Sequence, residues 1–361
     1  MRRETLCVHG SEDATHQTGA VTVPIYQCAT FAHPGVGQST GFDYSRTQNP
    51  TRLQAEQTVA ALEGGAEGLA FSTGMAAISC MLELFAAGDH IVATSDLYGG
   101  TVRLLAHAAK TRGILVTAAD TGDTAALAQC LQPNTKAVFV ETPTNPMMRL
   151  TDVARVRQCI GPDVLLIVDN TFLTPVLCRP LELGADIVVH SGTKYLGGHN
   201  DVLAGFLVVD RADLAERLRW LHKTIGAVLA PFDSYLLVRG VKTLALRIEK
   251  AQANARAVAA WLRAQPQVTQ VFYPGVGAML SFEVDTPLRA RDLLEKLRLV
   301  YYAESLGGVE SLMTYPVLQT HADVPPEVRN RLGITDRLLR FSVGIEAVED
   351  LIADIGQALA D

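Results

Sequence analysis

The sequence predicts an α/β protein: a large domain with a mainly parallel, doubly wound sheet, plus a smaller C-terminal α+β domain. Three observations carry this. Apolar runs of strand length alternate with helical patterns from about residue 53 onward. A chain of 361 residues exceeds what one ordinary core organises. After Gly240 the pattern changes to a long amphipathic stretch followed by further strand and helix signals.

In chain order, Leu53 to Glu63 has helical period and stops at Gly64-Gly65, where glycine accepts the left-handed cap. Seven strand-like runs follow: Gly68–Phe71, Ile91–Thr94, Ile114–Thr117, Ala137–Val140, Leu165–Val168, Ile187–Val189 and Phe206–Val209. Crossover helices are expected over Met75–Ala87, Thr101–Arg112 and Asp152–Ile160. The amphipathic pattern from Val241 to Ala264 bridges the two domains, and Met279–Val284, Leu338–Val343 and Val348–Leu359 suggest a small sheet covered by helices. The first fifty residues are Gly- and Thr-rich with little periodicity, which suits an arm lying on a neighbouring subunit. The expected organisation is an arm over 1–52, a large domain over 53–240 and a C-terminal domain over 241–361.

Composition narrows the function. The chain is 48% hydrophobic and 19% charged, so it is globular. Its net charge of -7 offers phosphate backbones no general attraction, so nucleic acid is disfavoured as a partner. The opening residues lack the apolar stretch of a secretory signal and no segment suits a membrane span, so a cytoplasmic location is expected. Six cysteines show no C-x-x-C pairing and sit mostly in apolar segments, so neither disulfides nor a metal is expected.

Ligands of open parallel sheets bind beyond the carboxyl ends of the strands. Ser72-Thr73-Gly74-Met75 follows one run and opens a helix whose free N–H groups suit a phosphate; by itself such a segment is more often a simple N-cap. Asp169-Asn170-Thr171 puts a carboxylate at the end of a wholly apolar strand, where only a cation, a donor or a capping role offsets desolvation. His190 to Gly198 sets Lys194 among Ser191, Gly192 and Thr193, although a lysine at a strand end is usually just solvated. Together the three form a set that pyridoxal phosphate (PLP) would use: an amine for covalent attachment, an acid for the pyridine nitrogen, and donors for the phosphate. Tyr98, after another strand, could stack on the ring, or be a half-buried loop tyrosine.

Nine ordered segments resemble the cystathionine gamma-synthase family of PLP enzymes: Asp43-Tyr-Ser-Arg46, Asn49-Pro-Thr51, Phe71 to Met75, Asp96 to Gly100, Glu141 to Pro146, Val168 to Thr171, Ser191 to Tyr195, Glu304 to Gly308 and Arg340 to Glu346. The resemblance implies a fold-type-I PLP-dependent enzyme, a homotetramer built as a dimer of dimers. It implies Lys194 as the cofactor lysine and proton shuttle, Asp169 and Thr171 at the ring, and Tyr98 stacked on it. Gly74, Met75, Ser191 and Thr193 would hold the phosphate, joined by Tyr44 and Arg46 from the neighbouring subunit. Arg340, with Asn145 and Ser305, would hold the substrate α-carboxylate. Glu304, Arg103 and Asp43 would meet the distal groups of an amino-acid substrate such as O-acylhomoserine, cysteine or cystathionine. The details around these positions resemble γ-replacement enzymes that make cystathionine from an O-acylhomoserine and cysteine. Cystathionine γ-lyase and O-acetylhomoserine sulfhydrylase remain alternatives, with a β-lyase or a non-catalytic PLP carrier behind them.

Overall fold

The structure, a computed structural model, describes residues 1–10, 19–322 and 324–360. Seven strands form the large sheet: β1 (Glu67–Phe71), β2 (His90–Thr94), β3 (Leu115–Ala119), β4 (Thr135–Glu141), β5 (Leu165–Asp169), β6 (Ile187–Ser191) and β7 (Gly205–Val209). Their spatial order is β1-β7-β6-β5-β4-β2-β3. The pairs from β6 across to β3 are parallel, while β7 runs antiparallel to both β1 and β6. The expected mainly parallel sheet is therefore present, with each expected run inside or at the start of an observed strand.

Apart from the edge strand β3, where Leu115 and Ala118 are exposed, these strands read as continuous apolar runs because both faces are covered. Alternate residues enter different cores: Val138 and Val140 pack with one buried cluster, Ala137 and Phe139 with the other. The first cluster takes in Val59 and Leu62 of α2 (Pro50–Glu63) and continues through the helix Leu244–Arg263 to Phe282 and Phe341. The second holds α3 (Gly74–Leu82) and its neighbours on the opposite face. The apolar interior is thus divided by the large sheet, and it is continuous from that sheet into the C-terminal segment.

The C-terminal sheet contains β8 (Val268–Phe272), β9 (Met279–Val284), β10 (Tyr301–Tyr302), β11 (Leu312–Thr314) and β12 (Leu338–Ser342), in the order β10-β11-β12-β9-β8. Only β10 and β11 pair in parallel. The expected strands at 279–284 and 338–343 are its centre, and the terminal helix spans Val348–Leu359.

Three expectations need correction. The pattern over 241–264 begins too early: Val241 closes the helix Pro231–Val241, and the long helix Leu244–Arg263, which accounts for the rest, begins after Thr243. Gly240 lies so close to the Gly197 carbonyl that a Cβ would come within 2.1 Å, and Arg247 donates to the carbonyls of Tyr195 and Gly240, fixing the break against the loop after Lys194. The helix expected to run to Ala87 stops at Leu82, where Glu83 caps it and a chain of turns follows. The arm is not wholly aperiodic, because Arg3–His9 forms helix α1 and buries Cys7 on the chain's own core. Part of the expected arm, residues 11–18, lies outside the described residues.

Candidate active site

Glu141, Asp169 and Ser191 end the adjacent strands β4, β5 and β6, and all three line one cavity of about 220 Å³. It is the position the strand-end rule indicates. From the expected set, Gly74, Met75, Tyr98, Asn145, Asp169, Thr171, Ser191, Thr193, Lys194, Glu304, Ser305 and Arg340 all line it.

Helix α3 presents its N-terminus to this cavity. Thr73 is its N-cap, accepting the Ala76 N–H at 3.0 Å, so the capping explanation of this segment is correct as well. Gly74 packs on Ser191: a Cβ there would lie 3.0 Å from the serine Cβ. Backbone donors therefore stand at the helix start beside a serine hydroxyl, an arrangement suited to an anion.

At the floor, Asp169 Oδ1 accepts from the backbone N–H of Thr171 at 3.0 Å and from its hydroxyl at 2.5 Å. The Thr171 hydroxyl oxygen also accepts the Ser191 N–H, at 2.9 Å, locking the two strand ends together. Burial pushes the Asp169 carboxyl up, only partly opposed by those Thr171 bonds. No ion pair to Asp169 occurs among the described residues, so a carboxylate faces the cavity in want of a cation.

Lys194 Nζ donates to Ser305 Oγ at 2.9 Å. Burial, and next the Arg340 guanidinium, lower its pKa to about 8, with Glu304 pulling the other way. Ser305 is held at φ +85°, unusual for a residue with a side chain, because its carbonyl accepts from Arg340 at 2.8 Å while its hydroxyl meets Lys194. Gly307, at φ +78°, lies against the Tyr195 backbone and lets this loop close on the lysine.

Arg340 is 2% exposed, and Nη1 donates to Asn145 Oδ1 at 3.1 Å while Nη2 donates to Ser305 O and Thr314 Oγ1. Its Nε has no partner, and burial lowers the guanidinium to about 10. A buried guanidinium bonded only to neutral oxygens, with a donor to spare at a cavity wall, suits an incoming carboxylate. Tyr98 starts α4 (Gly99–Arg112) and is 41% exposed at the cavity. Its ring has room because residue 100 is glycine: a Cβ there would lie 2.5 Å from Tyr98 Cε1.

Four expected residues stand apart. Arg103 is exposed on α4 and is not part of the cavity lining. Asp43, Tyr44 and Arg46 are exposed on the arm and do not line it. Asp43 accepts from the Ser39 hydroxyl at 2.6 Å, and the Arg46 guanidinium lies 5.6 Å from the Tyr44 ring centre while donating to the Lys223 carbonyl. Glu141 is the residue to which sequence reasoning gave no role. Its signal was the same as that of Asp169, an acid closing an apolar strand run.

The residues fit PLP: an amine of lowered basicity, an acid without a cation, anion donors at a helix start and an aromatic ring share one cavity. The comparisons agree. Residues 4–360 match the family model described as Cys/Met metabolism PLP-dependent enzyme, and the chain belongs to that family of PLP-dependent enzymes, of fold type I. It is 54% identical over 345 residues to a Bacillus subtilis cystathionine gamma-synthase/O-acetylhomoserine (thiol)-lyase, covering 95% of this chain and 92% of the relative. It is 48% identical to the cystathionine gamma-lyase of the same organism, covering 99% of each. Among solved structures, the cystathionine gamma synthase of Xanthomonas oryzae pv. oryzae, in complex with aminoacrylate and cysteine, superposes with a TM-score of 0.96 at 40% identity, over 99% of this chain and 98% of that one. The protein is thus an enzyme of transsulfuration chemistry. No helix among the described residues is long and apolar enough to cross a membrane.

Proposed function

We propose that this enzyme performs γ-replacement: the thiol of cysteine displaces the acyloxy group of an O-acylhomoserine, giving cystathionine and a carboxylate. The carrying observation is that a buried cation, Arg340, and an exposed acid, Glu304, line the same cavity as Lys194 and act on its charge in opposite directions. An amino acid whose α-carboxylate meets Arg340 has its Cα directed to the lysine, and Glu304 is left for the amino group of the incoming cysteine.

PLP, when bound, supplies the electron sink that makes the substrate α proton acidic and the γ carbon open to exchange. The chain does the rest. Arg340, steadied by Asn145 and Ser305, holds the carboxylate. Lys194 Nζ holds one added proton at a time, so it would take the α proton, hand it on to the bound cofactor, and only then take a β proton, the transfers running in reverse after the C–O bond has broken and the C–S bond has formed. A lysine brought down to about 8 can do both near neutral pH. Ser305 Oγ keeps Nζ in place between transfers. Asp169 and Thr171 serve the cofactor ring, Tyr98 covers it, and Gly74, Met75, Ser191 and Thr193 hold its phosphate. We assign Tyr44 and Arg46 to the site of a neighbouring subunit in a homotetramer, since both are exposed here and neither lines this chain's cavity. Asp43 and Arg103 would act at the same subunit boundary.

The γ-lyase reading is favoured by the 48% identity to a relative of that name, and the same residues could run it. A product profile separates the two. Cystathionine formed from O-acetyl- or O-succinylhomoserine plus cysteine supports replacement; homocysteine formed equally well from sulfide makes it a sulfhydrylase. Breakdown of cystathionine with no replacement would overturn the proposal. Glu304→Ala sharpens the test, because sulfide has no amino group to lose. Loss of one charged hydrogen bond, roughly 1.5 to 3 kcal/mol, should lower the cysteine-to-sulfide ratio of specificity constants about tenfold or more. Equal losses with both donors would remove Glu304 from cysteine recognition.

A further inference from the structure

Glu141 has no part in the chemistry above, yet it is buried at the cavity wall, 6% exposed, in register with Asp169 on the neighbouring strand. Its Oε2 accepts the backbone N–H of Tyr98 at 3.0 Å. Its Oε1 is buried with no hydrogen-bond partner. An ionised carboxylate there would leave a bare charged oxygen beside a second carboxylate, in a place water does not reach.

We propose that Glu141 is a positioning residue that works as a neutral acid: Oε2 fixes Tyr98 through its backbone N–H, and the proton kept on the carboxyl leaves Asp169 as the single negative charge at the floor. This rests on the cofactor site assigned above. The surroundings agree with it. Burial and then Asp169 drive the Glu141 carboxyl well up, and Asp96, buried behind it, adds to this; the Tyr98 and Asn145 backbone N–H groups pull the other way without prevailing. Arg340, from β12, senses Glu141, and it forms no ion pair with it among the described residues. His190, which faces Asp169 from β6, bonds through Nε2 to Glu63, so it leaves Glu141 unpaired as well. Two acids in register at one floor divide the labour: the one bonded twice to Thr171 keeps its charge, and the one with an orphan oxygen keeps its proton.

The test compares Glu141→Gln, Glu141→Asp and Glu141→Leu, reading the PLP dissociation constant by equilibrium dialysis and the pH dependence of the bound cofactor's absorbance. The amide of Gln keeps the acceptor for Tyr98 and, like a protonated carboxyl, carries no charge, so its affinity should stay within about twofold of the parent and its absorbance profile should overlay. Asp, too short to reach Tyr98, and Leu should each bind PLP about tenfold more weakly. Gln as weak as Leu would show that a negative charge is needed and would overturn the proposal; so would all three variants binding like the parent. Thermal melting of each variant identifies one that fails to fold, and the Gln comparison decides alone in that case. Borohydride labelling of a lysine other than Lys194 would instead strike at the site assignment, and the product profile bears only on the reaction.

Discussion

Replacing Arg340 by lysine keeps a positive charge at the cavity wall but removes the planar donor set. In the structure three of the five guanidinium N–H groups go to Asn145, Ser305 and Thr314, and Nε is among those left over. An ammonium has three donors, and the same neutral acceptors compete for them, so the substrate carboxylate loses at least one charged hydrogen bond. At roughly 1.5 to 3 kcal/mol for such a bond, kcat/KM for the O-acylhomoserine should fall roughly tenfold to 150-fold. Most of the loss should lie in KM, because the carboxylate is held alike in ground and transition states. The assay is steady-state kinetics with cysteine saturating and the ester varied, alongside a thermal melt. The melt should move little, since the lysine can still reach some of the oxygens that would otherwise be stranded. A fall of less than threefold would refute the assignment, as would an unchanged KM with a collapsed melting temperature, which would make Arg340 a structural prop.

The lysine and the subunit arm give further tests. Only the neutral amine attacks a carbonyl, and Lys194 is lowered from 10.5 to about 8, so PLP uptake by the cofactor-free protein should speed up as pH rises to about 8 and flatten above it; a rate still climbing at pH 10 would refute the burial argument. Glu304 favours the charged amine, so Glu304→Gln should move that midpoint down, and a shift upward would contradict the sign. Borohydride reduction and peptide mapping should find the cofactor on Lys194, and Lys194→Ala should lose its bound colour. Mixing Arg46→Ala with Lys194→Ala proteins should restore part of the activity, because a hybrid dimer contains one site with both residues intact; an active monomer in sedimentation would refute the shared site.

Much of this was legible in the sequence. A strand covered on both faces must be apolar throughout, so the inner runs of the large sheet announced themselves, and the residues just past their ends, Asp169, Ser191 and Lys194, lay where such sheets bind ligands. Val348–Leu359 was equally plain, because a terminal helix with one apolar face carries its own period. Other parts had no local signal. Strands β10 and β11, two and three residues long, exist only through their pairing with each other and with β12. The break between Val241 and Leu244 depends on the loop after Lys194 pressing on Gly240, a contact between residues more than forty apart in sequence. Arg340 reads in isolation as a strand arginine open to water; only the fold buries it and brings Asn145, Ser305 and Thr314 to it. The same holds for the carboxyl pair Glu141 and Asp169. The sequence determined that each acid ends an apolar strand, but whether two acids share a floor, and so cannot both hold a charge easily, was decided by the strand order that makes β4 and β5 neighbours. Periodicity is a property of one segment with its solvent, whereas the charge state of a buried group is set by whatever distant segments pack against it.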